Sequence, residues 1–270
     1  MAAIHIAAVI AVAVILWLTL EYSFIIPYKK GIPILMYHKV SPGFADGLTV
    51  PAKSLETQFE YLRNKNYTPL SFSELKQLHE SGKSLPSKPV IITFDDAYAD
   101  FAELALPLLK KFNFTATVFI PVGYMGKTNV WDQGSDAIMS AEQIKNIALN
   151  ENIEFGLHSF LHRNYAGLNP EDMQEDLENC SGTLNYYKIP FVNVLAYPYG
   201  GYPKKDKLLN QQMKQLFLKQ GLSFALRIGN RINSWPLKDP YELRRIDIKG
   251  TDNYLTFKIK LRKGRKKLFS

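Results

Sequence analysis

Strand-like apolar runs that alternate with amphipathic helical segments make this an α/β chain built on a parallel sheet, open or closed. Two further observations agree. Beyond an apolar N-terminal segment about 240 residues remain, a size at which single α/β barrels are common. The residues able to do chemistry also fall where predicted strands end, the edge at which such folds keep their sites.

Residues 2–20 read AAIHIAAVIAVAVILWLTL, with no charge and one histidine, His5. That run is long enough to cross a hydrocarbon core, and Trp17 and Tyr22 suit an interfacial position. A cleavable signal peptide is the rival. The basic start is missing and no Ala-x-Ala follows, so a retained membrane anchor over 1–22 is expected, followed by a linker over 23–31. Lys29 and Lys30 after the run argue for a domain on the cytoplasmic side.

From residue 32 the elements follow in order. Ile34-Leu35-Met36-Tyr37-His38 reads as a strand. Ser54 is placed to cap a helix with Leu55, Phe59 and Leu62 on its apolar face. Ser71-Phe72-Ser73-Glu74 is a capping box, and Gly82 stops that helix. A strand over 90–94 leads to a helical region closing with Leu108, Leu109 and Phe112, and a strand over 115–120 comes next. The segment 121–139 lacks periodicity and is a long loop, a feature often functional in compact domains. Ser140 opens a helix to about 150, and a strand over 153–157 follows. Asn169-Pro170 starts a helix to about 187, with proline at a favourable first position. A strand over 192–196, a helix near 204–220 ended by Gly221, and strands near 223–227 and 243–248 complete the series.

The 15 Tyr and 16 Phe supply ample core. The single cysteine, Cys180, excludes an internal disulfide framework and a cysteine-based zinc ribbon, and suits a semi-buried place on a helix. Net charge is +8, of which the stretch Lys258–Lys267 contributes seven basic residues, leaving a body near +1 by difference. A basic tail over 258–270 suits anionic lipid or phosphorylated glycan, or is simply solvated. No motif interleaves aromatics with that charge, so nucleic acid is not an expected partner. Nothing in the sequence bears on oligomeric state.

Two strings carry the chemistry. Thr93-Phe94-Asp95-Asp96 ends the run Val90-Ile91-Ile92, and His158-Ser159-Phe160-Leu161-His162 ends Ile153-Glu154-Phe155-Gly156-Leu157. One carboxylate and two imidazoles make an open-faced divalent metal site with room for water. The other carboxylate is then free to serve as a base. Adjacent aspartates on a regular strand end point to opposite sides. No Glu follows His158, so the zinc-protease pattern HExxH is absent. Asn164, just beyond, reads as structural. His5 falls in the apolar segment and His79 on a helix, so His38 is the histidine left to act as an acid.

These strings, followed by Tyr197-Pro198-Tyr199-Gly200, resemble the polysaccharide deacetylases of carbohydrate esterase family 4, over roughly residues 32–260. The resemblance implies a distorted (β/α) barrel of about seven strands occupying 32–257. It implies Asp96, His158 and His162 as metal ligands, Asp95 as catalytic base, and the amide of Tyr199 as an oxyanion donor. Where the wider family has an arginine that steadies the base, this chain has Ala196; Arg245 is the candidate substitute. The C-terminal Leu-x-x-His and the DxxDW motif of other branches are absent. Tyr37-His38-Lys39-Val40 and Ala196-Tyr197-Pro198-Tyr199-Gly200 resemble the poly-N-acetylglucosamine deacetylase branch, where the acid comes from this early strand.

The expected activity is therefore hydrolysis of N-acetyl groups from N-acetylhexosamine units of a glycan. Zinc fits the ligand set best, with cobalt, nickel and iron also admitted. The alternatives are an O-acetyl esterase or other non-peptide amide hydrolase of the same fold, and a non-catalytic glycan-binding scaffold. Relatives that act on surface glycans work outside the cytoplasm. That runs against the Lys29–Lys30 argument and favours an extracytoplasmic domain.

Overall fold

The computed structural model describes residues 2–22, 30–132 and 134–265. The strands are β1 (Ile34–Tyr37), β2 (Lys39–Ser41), β3 (Thr49–Pro51), β4 (Thr68–Pro69), β5 (Pro89–Phe94), β6 (Ala116–Ile120), β7 (Ile153–Leu157), β8 (Val194–Ala196), β9 (Phe224–Ile228) and β10 (Leu243–Asp247). The helices are α1 (Ala2–Tyr22), α2 (Ala52–Asn64), α3 (Phe72–Glu80), α4 (Leu106–Phe112), α5 (Ala141–Asn150), α6 (Pro170–Tyr186), α7 (Lys207–Lys219) and α8 (Tyr254–Lys263). Seven strands, in the order β1-β10-β9-β8-β7-β6-β5, form a closed parallel barrel, because β1 also pairs with β5. The expected barrel and its strand number are both found. β4 extends the sheet beside β5, and β2 pairs with β3 outside it.

Period-two alternation divides the core in two. Ile34, Ile91, Phe119, Val194, Phe224, Leu226 and Leu243 point inward as one cluster. Their neighbours Leu35, Tyr37, Val90, Ile92, Phe94, Val118 and Ile120 point outward into the layer under the helices. The floor is plugged by Leu70, Phe72 and Leu75 at the start of α3. Glu154 accepts from the Phe72 and Ser73 N–H groups at 2.8 and 3.1 Å, so a carboxylate on β7 satisfies the free N-terminus of that helix. At Gly156 a Cβ would meet the Phe119 ring at 2.6 Å, so glycine is required for Phe119 to fill the barrel at that level.

The caps read from sequence are present at Ser71, Ser140 and Asn169. Ser54 is not a cap. α2 begins at Ala52 after Pro51, and Ser54 lies inside it. The basic stretch is not a separate tail from residue 258. α8 runs through Lys263, with Phe257, Ile259 and Leu261 in the core, and Lys260 donates to the Asp247 carbonyl (2.8 Å) and the Asp252 carboxylate (2.5 Å). Lys266 and Lys267 lie outside the described residues.

The expected transmembrane helix also needs correction. Residues Ala2–Tyr22 are helical, yet among the described residues no helix is long and apolar enough to cross a membrane. The Tyr22 side chain, Lys29 and residues 23–29 of the expected linker lie outside the described residues.

Candidate active site

The inward-facing positions at the tops of the barrel strands are the chemically active ones. His38 follows β1, Asp95 follows β5, His158 follows β7, and Arg245 is an interior residue of β10. Alternation continued to the strand end puts Asp95 inside, and would turn Asp96 out. Asp96 faces the same pocket because the backbone there leaves the strand, with φ of 69° at Asp96 and 52° at Ala97. Ser159 (63°), His162 (53°) and Tyr199 (58°) are likewise left-handed. Such backbone costs on the order of 1–3 kcal/mol per residue and gathers at functional sites.

Asp95 is buried and held by Arg245 in a two-point pair, 2.5 Å from Nη1 to Oδ1 and 2.7 Å from Nη2 to Oδ2. Burial opposes ionisation, but the Arg245 guanidinium, with His158 and His38 nearby, holds the Asp95 carboxyl well below the usual carboxylate range. Arg245 itself is 1% exposed and lies 5.5 Å from the centre of the Phe119 ring. The structure thus brings the candidate substitute arginine onto the aspartate.

Asp96, His158 and His162 form a buried cluster whose ligand atoms all lie within 4.8 Å of one another. His158 Nε2 and His162 Nε2 sit 3.4 and 3.3 Å from Asp96 Oδ1. His158 Nδ1 donates to the Ala196 carbonyl at 2.7 Å; a carbonyl only accepts, so the Nε2 lone pair is left to face the cluster. Burial pushes the His158 imidazole down to about 4, with Asp95 opposing that shift, so it is neutral at pH 7 as a ligand must be. Burial also opposes the Asp96 charge, and the neighbouring His162, His158 and His38 imidazoles lower its carboxyl nonetheless. Asp96 Oδ1 is buried with no hydrogen-bond partner among the described residues. An orphaned carboxylate oxygen between two imidazole nitrogens is what a divalent cation would satisfy, so the donor set fits a metal.

The loop that carries both histidines is shaped by Asp176 on α6. Its carboxylate accepts from Ser159 Oγ (2.7 Å), Phe160 N (3.0 Å) and Tyr165 Oη (2.7 Å), and Ser159 Oγ in turn accepts from Arg163 N (2.9 Å). Asp176→Ala would strand three donors at about 1–3 kcal/mol each. A loss of at least about 3 kcal/mol in chemical denaturation is expected, together with weaker metal binding by the folded protein. Unchanged stability would show the network to be dispensable.

A cavity of about 350 Å³ opens above the cluster and includes His38, Asp95, Tyr199, Trp131 and Lys249 in its wall. His38 Nε2 stands 3.8 Å from Asp95 Oδ2. Tyr199 is exposed at the mouth, its ring 4.7 Å from that of His162. Trp131 stacks on His162 at 4.2 Å and 22°. All seven residues expected at the site are therefore in one pocket. Asn164 caps its own turn, accepting from Ala166 N at 2.9 Å, and Cys180 is buried in the core.

Sequence reasoning missed Trp131 and Asp176. Trp131 lies in the aperiodic loop marked as functional, but no spacing singled it out. Asp176 had a signal: it shares the buried face of α6 with Met173, Leu177, Cys180 and Leu184, and a carboxylate on an apolar face needs partners.

Comparison with known proteins agrees with this geometry. The protein YxkH of Bacillus subtilis (strain 168), whose name assigns it to the polysaccharide deacetylases, is 31% identical over 171 residues, 63% of this chain and 57% of its own length. The poly-beta-1,6-N-acetyl-D-glucosamine N-deacetylase of Escherichia coli (strain K12) is 31% identical over 141 residues, 48% of this chain and 21% of its own length. The chain thus spans just over half the length of the first relative and about a fifth of the second. The structure of IcaB from Ammonifex degensii superposes with a TM-score of 0.70 at 22% identity, covering 87% of this chain and 97% of that one, a similarity of fold. A family profile described as polysaccharide deacetylase matches residues 82–219, the segment that holds Asp95, Asp96, His158, His162 and Tyr199, and the chain belongs to that family.

Proposed function

We propose that this protein is a divalent-metal-dependent deacetylase that hydrolyses N-acetyl groups on N-acetylhexosamine units of a polysaccharide. The observation that carries this reading is the pairing, in one pocket, of the Asp96–His158–His162 cluster with a second carboxylate held apart from it by Arg245. The choice of an N-acetylated glycan draws on the activity for which the E. coli relative is named.

A divalent ion held by Asp96, His158 and His162 would supply Lewis acidity to the acetyl carbonyl and to the attacking water. Zinc fits two imidazoles and a carboxylate best. Asp95, kept charged by Arg245, accepts the proton of the water. Its Oδ2 lies 3.8 and 3.9 Å from His38 and His158 Nε2, so that oxygen faces the pocket. The Tyr199 N–H donates to the oxyanion, and the left-handed turn at that residue is what aims the amide. His38 gives the departing nitrogen its proton, since an amine is a poor leaving group until it is protonated.

The decisive assay offers N-acetylglucosamine oligomers and O-acetylated sugars side by side. Acetate release from the N-acetyl oligomers, abolished by a chelator and restored by zinc or cobalt, is the expected result. Release from the O-acetyl sugars alone would make the protein an esterase. His38→Ala is expected to keep the metal and lose at least about a hundredfold on the amide. It should lose far less on an aryl acetate, whose leaving group needs no proton. Equal losses on both substrates would remove His38 from the acid role.

We place the reaction outside the cytoplasm; this rests on the substrate class. Protease added to intact cells should digest the barrel. A barrel protected in intact cells would sink this placement.

A further inference from the structure

The proposed metal site has one wall that is not part of the barrel. Trp131 covers the face of His162, and Tyr124 meets Trp131 edge-on at 5.1 Å. Trp131 belongs to a segment that runs out and back, with Asn129 N bonded to the Asp136 carbonyl (3.1 Å) and Ile138 N to that of Lys127 (2.8 Å). At its tip side chains do the tying. Asp132 Oδ1 accepts from Asn129 Nδ2 and from Gly134 N, and Asn129 Oδ1 accepts from Asp136 N at 2.8 Å.

One cation joins this tip to the barrel. Lys39 Nζ donates to Asp136 Oδ2 at 2.8 Å, lies 3.6 Å from Asp132 Oδ2, and sits 5.2 Å from the centre of the buried Tyr98 ring. Its side chain is only 14% exposed. Lys39 is the residue after His38 and opens β2, so the stretch of chain that brings the candidate acid to the pocket also brings this cation. Two carboxylates of the tip, Asp132 and Asp136, thus converge on one partly buried ammonium. Without it they would repel each other and be drawn outward to water.

We propose that Lys39 is a positioning residue that braces Trp131 against His162, and that this brace strengthens metal binding. The mechanism is steric and dielectric. An indole stacked on a ligand imidazole fixes the ring's orientation and keeps water from its outer face, and such surrounding groups commonly alter metal affinity by about 10- to 100-fold. This inference rests on the metal-site reading above.

The test is a titration of the purified chain with zinc in competition with a chromogenic chelator, beside thermal melting. Wild type should bind one ion. Lys39→Met should bind about 10- to 100-fold more weakly with little change in melting temperature, and Lys39→Arg should recover most of the affinity. Trp131→Ala should show the same loss, and Lys39→Met/Trp131→Ala no more than either alone, because both act through one contact. Should Lys39→Met fail to fold, Asp136→Asn breaks the same 2.8 Å pair from the half-exposed side and should weaken binding in the same direction. Wild-type affinity in Lys39→Met or in Trp131→Ala, or additive losses in the double variant, would overturn the brace while leaving the site intact. Failure of wild type to bind any divalent ion would overturn the site itself.

Discussion

Asp95→Asn is expected to retain the divalent ion and to lose acetate release by at least about a hundredfold. The amide keeps the shape of the carboxylate and one acceptor oxygen for Arg245, but cannot take a proton from water at neutral pH. Metal content should hold, because Asp96, His158 and His162 are untouched. Stability will not hold fully. Removing one partner of a buried ion pair costs about 3–5 kcal/mol, and the acceptor that remains trims this. The sign of the pH dependence follows from the depressed Asp95 carboxyl. A lowered folded value means the pair stabilises in full above the ordinary carboxylate value of about 3.9, and that contribution fades as pH falls towards the folded value. The stability gap between wild type and Asp95→Asn should therefore be level from neutral pH to about 4 and narrow below it. Near-normal turnover with normal metal content would show that another group accepts the proton.

What could be read from the sequence was whatever depends on local pattern. Strand ends carry the chemistry, so TFDD and HSFLH announced both the barrel and its pocket, and Ser71, Ser140 and Asn169 announced their helices. Arg245 could be named only through the resemblance, which implies an arginine beside Asp95 and finds Ala196 where the wider family carries it; the structure pairs Arg245 with Asp95. Contacts across the fold were out of reach. Trp131 meets His162 and Lys39 meets Asp136 across long stretches of chain, through a segment with no period to read. β2, β3 and β4 are two or three residues long, too short to alternate visibly. Ser54 misled because Pro51 starts α2 without any side-chain cap. The basic stretch misled because charge was read without its apolar companions. Phe257, Ile259 and Leu261 alternate through it and bury α8.

His158→Ala and His162→Ala should each empty the metal site and abolish turnover. Two remaining donors cannot compete with water for a divalent ion, and binding energy falls away with the third. The two variants should differ in what else they disturb. His158 is fixed from behind by the Ala196 carbonyl, so its loss also leaves a buried acceptor on β8 without its donor, at about 1–3 kcal/mol. His162 has no such bond from its Nδ1 among the described residues and is held by Trp131 and by the left-handed turn on which it sits. Its removal should therefore cost less stability, while exposing the indole that had covered it. Asp96→Ala belongs with them on metal content. It should be the least harmful to the apo fold, because it deletes the orphaned buried oxygen that the cation would otherwise satisfy. Elemental analysis of the three variants, with denaturation of their apo forms, separates these effects. Full metal occupancy in both histidine variants would rule out the cluster as the metal site, and with it the role given to Asp95 beside it.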